Sequence, residues 1–304
     1  MKKLEDNSFD IKEETQKLLD KGLEHYDINE LETATNYFEK AIELEPQNPA
    51  VFRALANFHL QVFIFDKAIE YCQRALNINS RDIIALQIMG NIYLSKMEFD
   101  KSEEYYLKAA EIEEDNIDVN FNLGNLFLVR KEYEASLEYF QKAEKQNAED
   151  TDILFQIANV YELLEMIEKA MEYYYKLLNF FPDAFMVWSH LAELHYNQQE
   201  YEEAERCLKE AMELTPENPA LYNNLGCIYI KVEKYNEALE WIEKSLEIDP
   251  TNANYWDSLG EVYEAMENYE KAIEHYKKAI ELNPENTACK DKLLKLENKI
   301  EKEK

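Results

Sequence analysis

Glycine is nearly absent from this chain of 304 residues: there are five, with seven prolines and four cysteines. So little glycine and proline excludes a collagen-like or linker-rich protein and leaves few places where a helix is forced to stop. Cys72, Cys207, Cys227 and Cys289 lie far apart with no CxxC spacing, which argues against a disulfide framework and against a zinc site. The opening MKKLEDNSFD lacks the apolar centre of a secretory signal, no run approaches a membrane span, and no N-x-S/T sequon occurs. The expected setting is a reducing cytoplasm, without membrane insertion.

Basic residues are also few, 33 against 63 acidic, for a net charge of −30. Such a surface repels phosphate, so nucleic acid and anionic membrane are disfavoured as partners. Most of the charge reads as solvated helix surface; the sharper reading is a partner with a basic segment.

What the chain does have is Ala, Leu, Glu, Lys, Tyr and Phe in abundance, the composition of an all-helical stack. Residues 253–286, ANYWDSLGEVYEAMENYEKAIEHYKKAIELNPEN, define a 34-residue frame with Trp256 at position 4, Leu259 at 7, Gly260 at 8 and Tyr263 at 11. Ala272 follows at 20, Tyr276 at 24, Ala279 at 27 and Pro284 at 32. The frame recurs without insertion from Thr15, Pro49, Ile83, Ile117, Thr151, Phe185 and Pro219. Position 8 is always Gly or Ala and collects every glycine: Gly22, Gly90, Gly124, Gly226 and Gly260. Position 20 is always Ala or Ser, and Pro46, Pro182, Pro216, Pro250 and Pro284 stand at position 32. Two helices can approach closely only where side chains are small, so position 8 is expected against position 20, with bulky residues at 4, 7, 11, 17 and 24 around them.

These columns resemble the tetratricopeptide repeat (TPR), a pair of antiparallel helices that stacks on copies of itself. The resemblance implies an all-α, right-handed TPR α-solenoid. Residues 1–14 would be an N-terminal extension, with Asp10 and Glu13 as a capping box. The eight repeats would occupy 15–48, 49–82, 83–116, 117–150, 151–184, 185–218, 219–252 and 253–286. Residues 287–304 would form a capping helix, its stripe of Cys289, Leu293, Leu296 and Ile300 inward and its lysines Lys290, Lys292, Lys295 and Lys299 in water.

Three departures stand out. The turn position 15, often glycine in the family, carries Asn29, Phe63, Met97, Lys131, Glu165, Gln199, Glu233 and Glu267, so the turns should use negative φ or accept strain. Repeats 2–4 have Ser80, Glu114 and Ala148 in place of the position-32 proline. Asn120 replaces a large apolar residue at position 4, and the polar run from Lys145 to Asp152 reads as a soft joint.

Catalysis has little to stand on. His25, His59 and His195 share position 11, a packing column, and His275 lies on helix B. His190 and Glu193 could share a metal only with a third ligand that is missing. Neither a phosphate loop, a nucleophile elbow nor HExxH occurs, so no enzyme activity, cofactor or metal is expected.

In the family the inner surface is lined by helix A at positions 2, 5, 9, 12 and 13. Position 9 here carries Asn57, Asn91, Asn125 and Asn159 in four successive repeats, which resembles the asparagine ladder in the TPR superhelix of O-GlcNAc transferases and in armadillo proteins. Amides can pair with both backbone groups of an extended peptide. The bland alternative is that asparagine is simply tolerated at position 9. Ile84, Leu94, Phe121, Leu128, Val129, Phe155 and Leu163 would add an apolar stripe, and Asp257, Glu261 and Glu264 an acidic mouth. Arg53 and Asn57 offer the first pair of the carboxylate clamp of chaperone-adaptor TPR domains, but Ile88, Asp118 and Asn122 do not continue it. The resulting expectation is a non-enzymatic scaffold that holds a peptide segment of a protein partner. The alternatives are a homo-oligomer assembled through convex or terminal surfaces and a regulatory subunit of a separate enzyme.

Overall fold

A computed structural model describes the backbone of residues 2–27 and 30–303, and the side chains of 11–26 and 30–301. Its described residues form helices only, seventeen in all. The first is α1 (Lys2–Asp27), followed by α2 (Leu31–Leu44), α3 (Pro49–Gln61), α4 (Phe65–Ile78), α5 (Ile83–Ser95), α6 (Phe99–Ala110), α7 (Ile117–Val129), α8 (Tyr133–Gln146) and α9 (Thr151–Leu163). Then come α10 (Ile167–Phe180), α11 (Phe185–Asn197), α12 (Tyr201–Leu214), α13 (Pro219–Lys231), α14 (Tyr235–Ile248), α15 (Ala253–Ala265), α16 (Tyr269–Leu282) and α17 (Thr287–Glu303). From α3 onward each first helix starts at position 1 of the frame and each second helix at position 17. Because no glycine or proline interrupts residues 2–21, α1 runs straight through Asp10. Asp10 is therefore an interior position and not a cap; its side chain lies outside the described residues.

Asparagine or aspartate at position 34 starts the next helix. Asn48, Asp82, Asn116, Asp150, Asn218 and Asn252 each accept a hydrogen bond from a first-turn N–H, which satisfies a donor the helix itself leaves open. Ala184 breaks the series and makes no such bond.

The turn inside each repeat is closed by the backbone. In repeat 3, Met97 N–H donates to Leu94 O at 2.9 Å and Glu98 N–H to Tyr93 O at 2.8 Å, and the turns of repeats 2, 4, 6, 7 and 8 repeat this pair. That is the Schellman pattern, which needs a left-handed residue between its two bonds. Phe63, Met97, Lys131, Glu165, Gln199, Glu233 and Glu267 all occupy it, with φ between 58° and 63°. Of the two conformations anticipated for position 15, these turns take the strained one, because negative φ would forfeit both bonds. Asn29 lies outside the described residues.

The core follows the columns, with one further partner at position 8. Ala34, Ala68, Ser102, Ser136, Ala170, Ala204, Ala238 and Ala272 at position 20 are fully buried, and Ser102 and Ser136 donate to the carbonyls of Gly90 and Gly124 at 2.9 and 2.8 Å. At the glycines, the side chain at position 24 also presses on position 8. A Cβ on Gly124 would stand 2.6 Å from the Phe140 ring, and one on Gly260 would stand 2.6 Å from Tyr276. Where position 24 is the smaller Cys72 or Leu208, position 8 is Ala56 or Ala192, but repeat 5 combines Ala158 with Tyr174.

Position 4 carries a second regularity. Trp188 and Trp256 donate their indole N–H to Pro182 O and Pro250 O, each at 2.9 Å, and Tyr222 OH donates to Pro216 O at 2.7 Å. Asn120 makes the same bond to Glu114 O at 2.9 Å. Its amide, 1% exposed, thus replaces the indole function and not the apolar bulk.

The chain divides into two compact units, Met1–Glu165 and Met166–Lys304. The division falls within repeat 5 and not at the polar run from Lys145 to Asp152, where α8 and α9 pack together and Asp150 caps α9 through two N–H groups. In the second unit α17 packs on α16, with Cys289 and Leu296 buried beside Ala272, Tyr276 and Ala279.

Candidate functional site: a cleft on the first helices of repeats 2–4

Within the first unit α3, α5 and α7 stand side by side, and a cleft of about 520 Å³ opens between them. Four of the residues singled out from the sequence line it together: Asn57, Ile84, Asn91 and Phe121. Ile84 is 51% exposed, Asn57 is exposed, and Asn91 and Phe121 are half-buried. Asn125 and Leu128 on α7, and Phe155 and Asn159 on α9, are also half-buried but lie outside the cleft. Leu94 packs against the core cluster that includes Tyr106 and Leu123, so it serves stacking and not the groove.

The four amides are not equivalent. Tyr106 is fully buried, and its hydroxyl donates to Asn91 Oδ1 at 2.5 Å; a buried hydroxyl needs such an acceptor. Burial pushes the Tyr106 pKa far above the ordinary tyrosine value, so this proton stays in place at any working pH. Asn91 therefore offers a ligand its NH2 group and only the second lone pair of its oxygen. Phe121 leans on Phe140, ring centroids 5.5 Å apart, and is part aromatic packing and part surface.

Arg53 cannot begin a carboxylate clamp. Its Nη1 lies 2.8 Å from both oxygens of Asp82, and Asp82 also accepts from Ala85 N–H. A charge held this way is compensated within the protein.

The cleft also contains a residue the sequence reading passed over. Gln87 lines it and is 9% exposed, with its Nε2 buried and lacking a partner. The signal was available: Gln87 stands at position 5, four residues before Asn91 and therefore on the same helix face.

In the second unit the acidic mouth is already engaged. Lys292 Nζ of α17 reaches Asp257 Oδ2 at 2.7 Å and Glu261 Oε1 at 2.5 Å. Glu264 accepts from the buried Tyr276 hydroxyl at 2.7 Å. Lys292 is thus turned inward and not to water, because two carboxylates lie within its reach. Burial alone would lower its pKa; the hydrogen bonds to Asp257 and Glu261 more than offset that, and the pKa is raised. These three acids are a structural network before any partner arrives.

Both ring nitrogens of His195 are bonded, Nδ1 to Glu200 at 2.6 Å and Nε2 to Tyr175 OH at 2.8 Å, and His190 stacks on Tyr174. Among the described residues no group of three His, Cys, Asp or Glu is placed to hold a metal. Burial pushes the Cys72 thiol up to about 12, leaving it protonated and unreactive. No helix among the described residues is long and apolar enough to cross a membrane.

Family models described as tetratricopeptide repeats match residues 19–82 and 89–151, 151–183, and 183–251 and 219–285. The chain belongs to the tetratricopeptide repeat family. No curated protein matches it. Among solved structures it is similar to pilF of Pseudomonas aeruginosa, 20% identical over 68% of this chain and 94% of that one, with a TM-score of 0.56. It is also similar to MamA from Desulfovibrio magneticus RS-1, 22% identical over 56% and 96%, TM-score 0.52. A chain of the APC/C hetero-tetramer Cut9-Hcn1 aligns with 86% of this one at 17% identity and TM-score 0.54, and the alignment spans 52% of that chain. At these identities the likeness is one of fold.

Proposed function

We propose that the protein is a non-enzymatic scaffold whose first unit holds an extended peptide segment of a partner protein across α3, α5, α7 and α9. The observation that carries this reading is the cleft. Its amides and the half-exposed Ile84 stand on a surface that stacking does not use, and apolar surface rimmed by polar groups favours binding. Family membership supports it, since TPR proteins generally act through protein contacts and not catalysis.

A basic portion of the partner would meet an acidic mouth whose charge Lys292 offsets in part. Affinity capture with the parent and with an Asn57→Ala, Asn125→Ala variant tests the proposal. A captured partner should be lost from the variant and retained by a Glu104→Lys, Lys108→Glu variant on α6, whose two side chains form an exposed ion pair away from the cleft. The reverse pattern would move the interaction to the other face.

A further inference from the structure

Resting on that reading, the chemistry of the cleft says what kind of segment it takes. Gln87 has a donor, Nε2, buried without an acceptor, which is a standing cost to the free protein. Asn91, four residues on, has one lone pair of its oxygen taken by Tyr106 and keeps its NH2 donors turned to a ligand. The last torsion of a glutamine is soft and two-fold, so its amide can turn toward an incoming acceptor. Two donors on one helix face thus await an acceptor, and the charges around them decide which.

Arg53 is spent on Asp82, so no free cation stands in the cleft to draw a carboxylate. Asp118, at its rim, is exposed, and solvent screens its pull on cations and its repulsion of anions alike. Ile84 and Phe121 add apolar surface to the cleft that Gln87 lines. A side chain with full charge would leave water here for no partner.

We infer that the cleft selects an uncharged stretch of extended peptide, which seats one apolar side chain between Ile84 and Phe121 and turns a backbone carbonyl to the amides of Gln87 and Asn91. Gln87 is then the residue that sets specificity, and the asparagine row supplies sequence-independent affinity.

Random peptides of roughly a dozen residues, displayed on phage and selected on the immobilised full chain, test this. An Asn57→Ala, Asn125→Ala variant serves as the counter-target. Clones that bind the parent and not the counter-target should share one large apolar position flanked by uncharged residues. Gln87→Leu should weaken these clones about tenfold, the value of one hydrogen bond of ordinary strength. Gln87→Glu, of nearly the same shape but presenting only acceptors, should weaken them at least as much; it keeps the test open if Gln87→Leu fails to fold. Asparagine-dependent clones with Lys, Arg, Asp or Glu at the shared position, or full affinity in both Gln87 variants, would overturn the inference and leave the groove standing. Absence of any asparagine-dependent clone would overturn the groove reading and this inference together.

Discussion

Asn120 shows what a single residue can hide. By type it departs from its column, and in the structure it does what the tryptophans at that column do, donating to the carbonyl at position 32 of the repeat before. Asn120→Leu would restore apolar bulk and should nonetheless destabilise the protein by about 0.5–1.5 kcal/mol, because the hydrogen bond to Glu114 O is lost. Urea unfolding decides; a gain in stability would show that bulk and not the bond matters. Position 15 gives the opposite case. Met97, 74% exposed at φ 60°, contributes little packing to offset its left-handed backbone. Met97→Gly should raise stability by up to about 1 kcal/mol, the strain relieved less the entropy glycine adds to the unfolded chain, and Met97→Val should lower it. Hydrogen bonds of this sort were not legible from the residues, since the frame records size and not where an N–H points.

At the scale of the helix pair, the spacing of small residues was legible and its cause was not. Glycine at position 8 was matched with Ala or Ser at 20, which it meets, but the side chain at 24 presses on it too: Gly124→Ala should cost about 1–3 kcal/mol by overpacking against Phe140. Equal melting temperatures would contradict this. A second pairing, unread in the sequence, joins positions 11, 23 and 26. His59 stacks on Tyr71 at 5.4 Å with Arg74 over the same tyrosine, and Phe127 stacks on Tyr139 at 5.4 Å beneath Lys142. Burial, helped by the charge of Lys67, lowers the His59 pKa. The fold therefore favours neutral His59, and the unfolded chain takes up the proton first. Its contribution is present above about pH 6.5 and fades as pH falls through the lowered pKa. His59→Phe, which copies the Phe127 arrangement, should gain on the parent in urea midpoint between pH 7.5 and 5.5, conditions bracketing the roughly 6.5 of a free histidine. A constant difference would contradict the shift.

Across the whole molecule the repeat frame was visible almost to the residue, because a 34-residue unit must bury the same surface at every copy. The division between Glu165 and Met166 was not, since no composition change marks it. The groove was half legible: offsets placed Asn57, Ile84, Asn91 and Phe121 together, but ion pairs formed between distant residues, Arg53 with Asp82 and Lys292 with Asp257 and Glu261, remove charges the sequence seemed to offer. The central claim, that partners enter the cleft on α3, α5 and α7, is tested most directly by photocrosslinking. A photoreactive benzoylphenylalanine replaces Asn57 in one protein and Lys108, exposed on α6, in another, and each is irradiated with the captured partner. The account predicts a crosslinked product from position 57 and none from position 108; crosslinking from position 108 alone would contradict it.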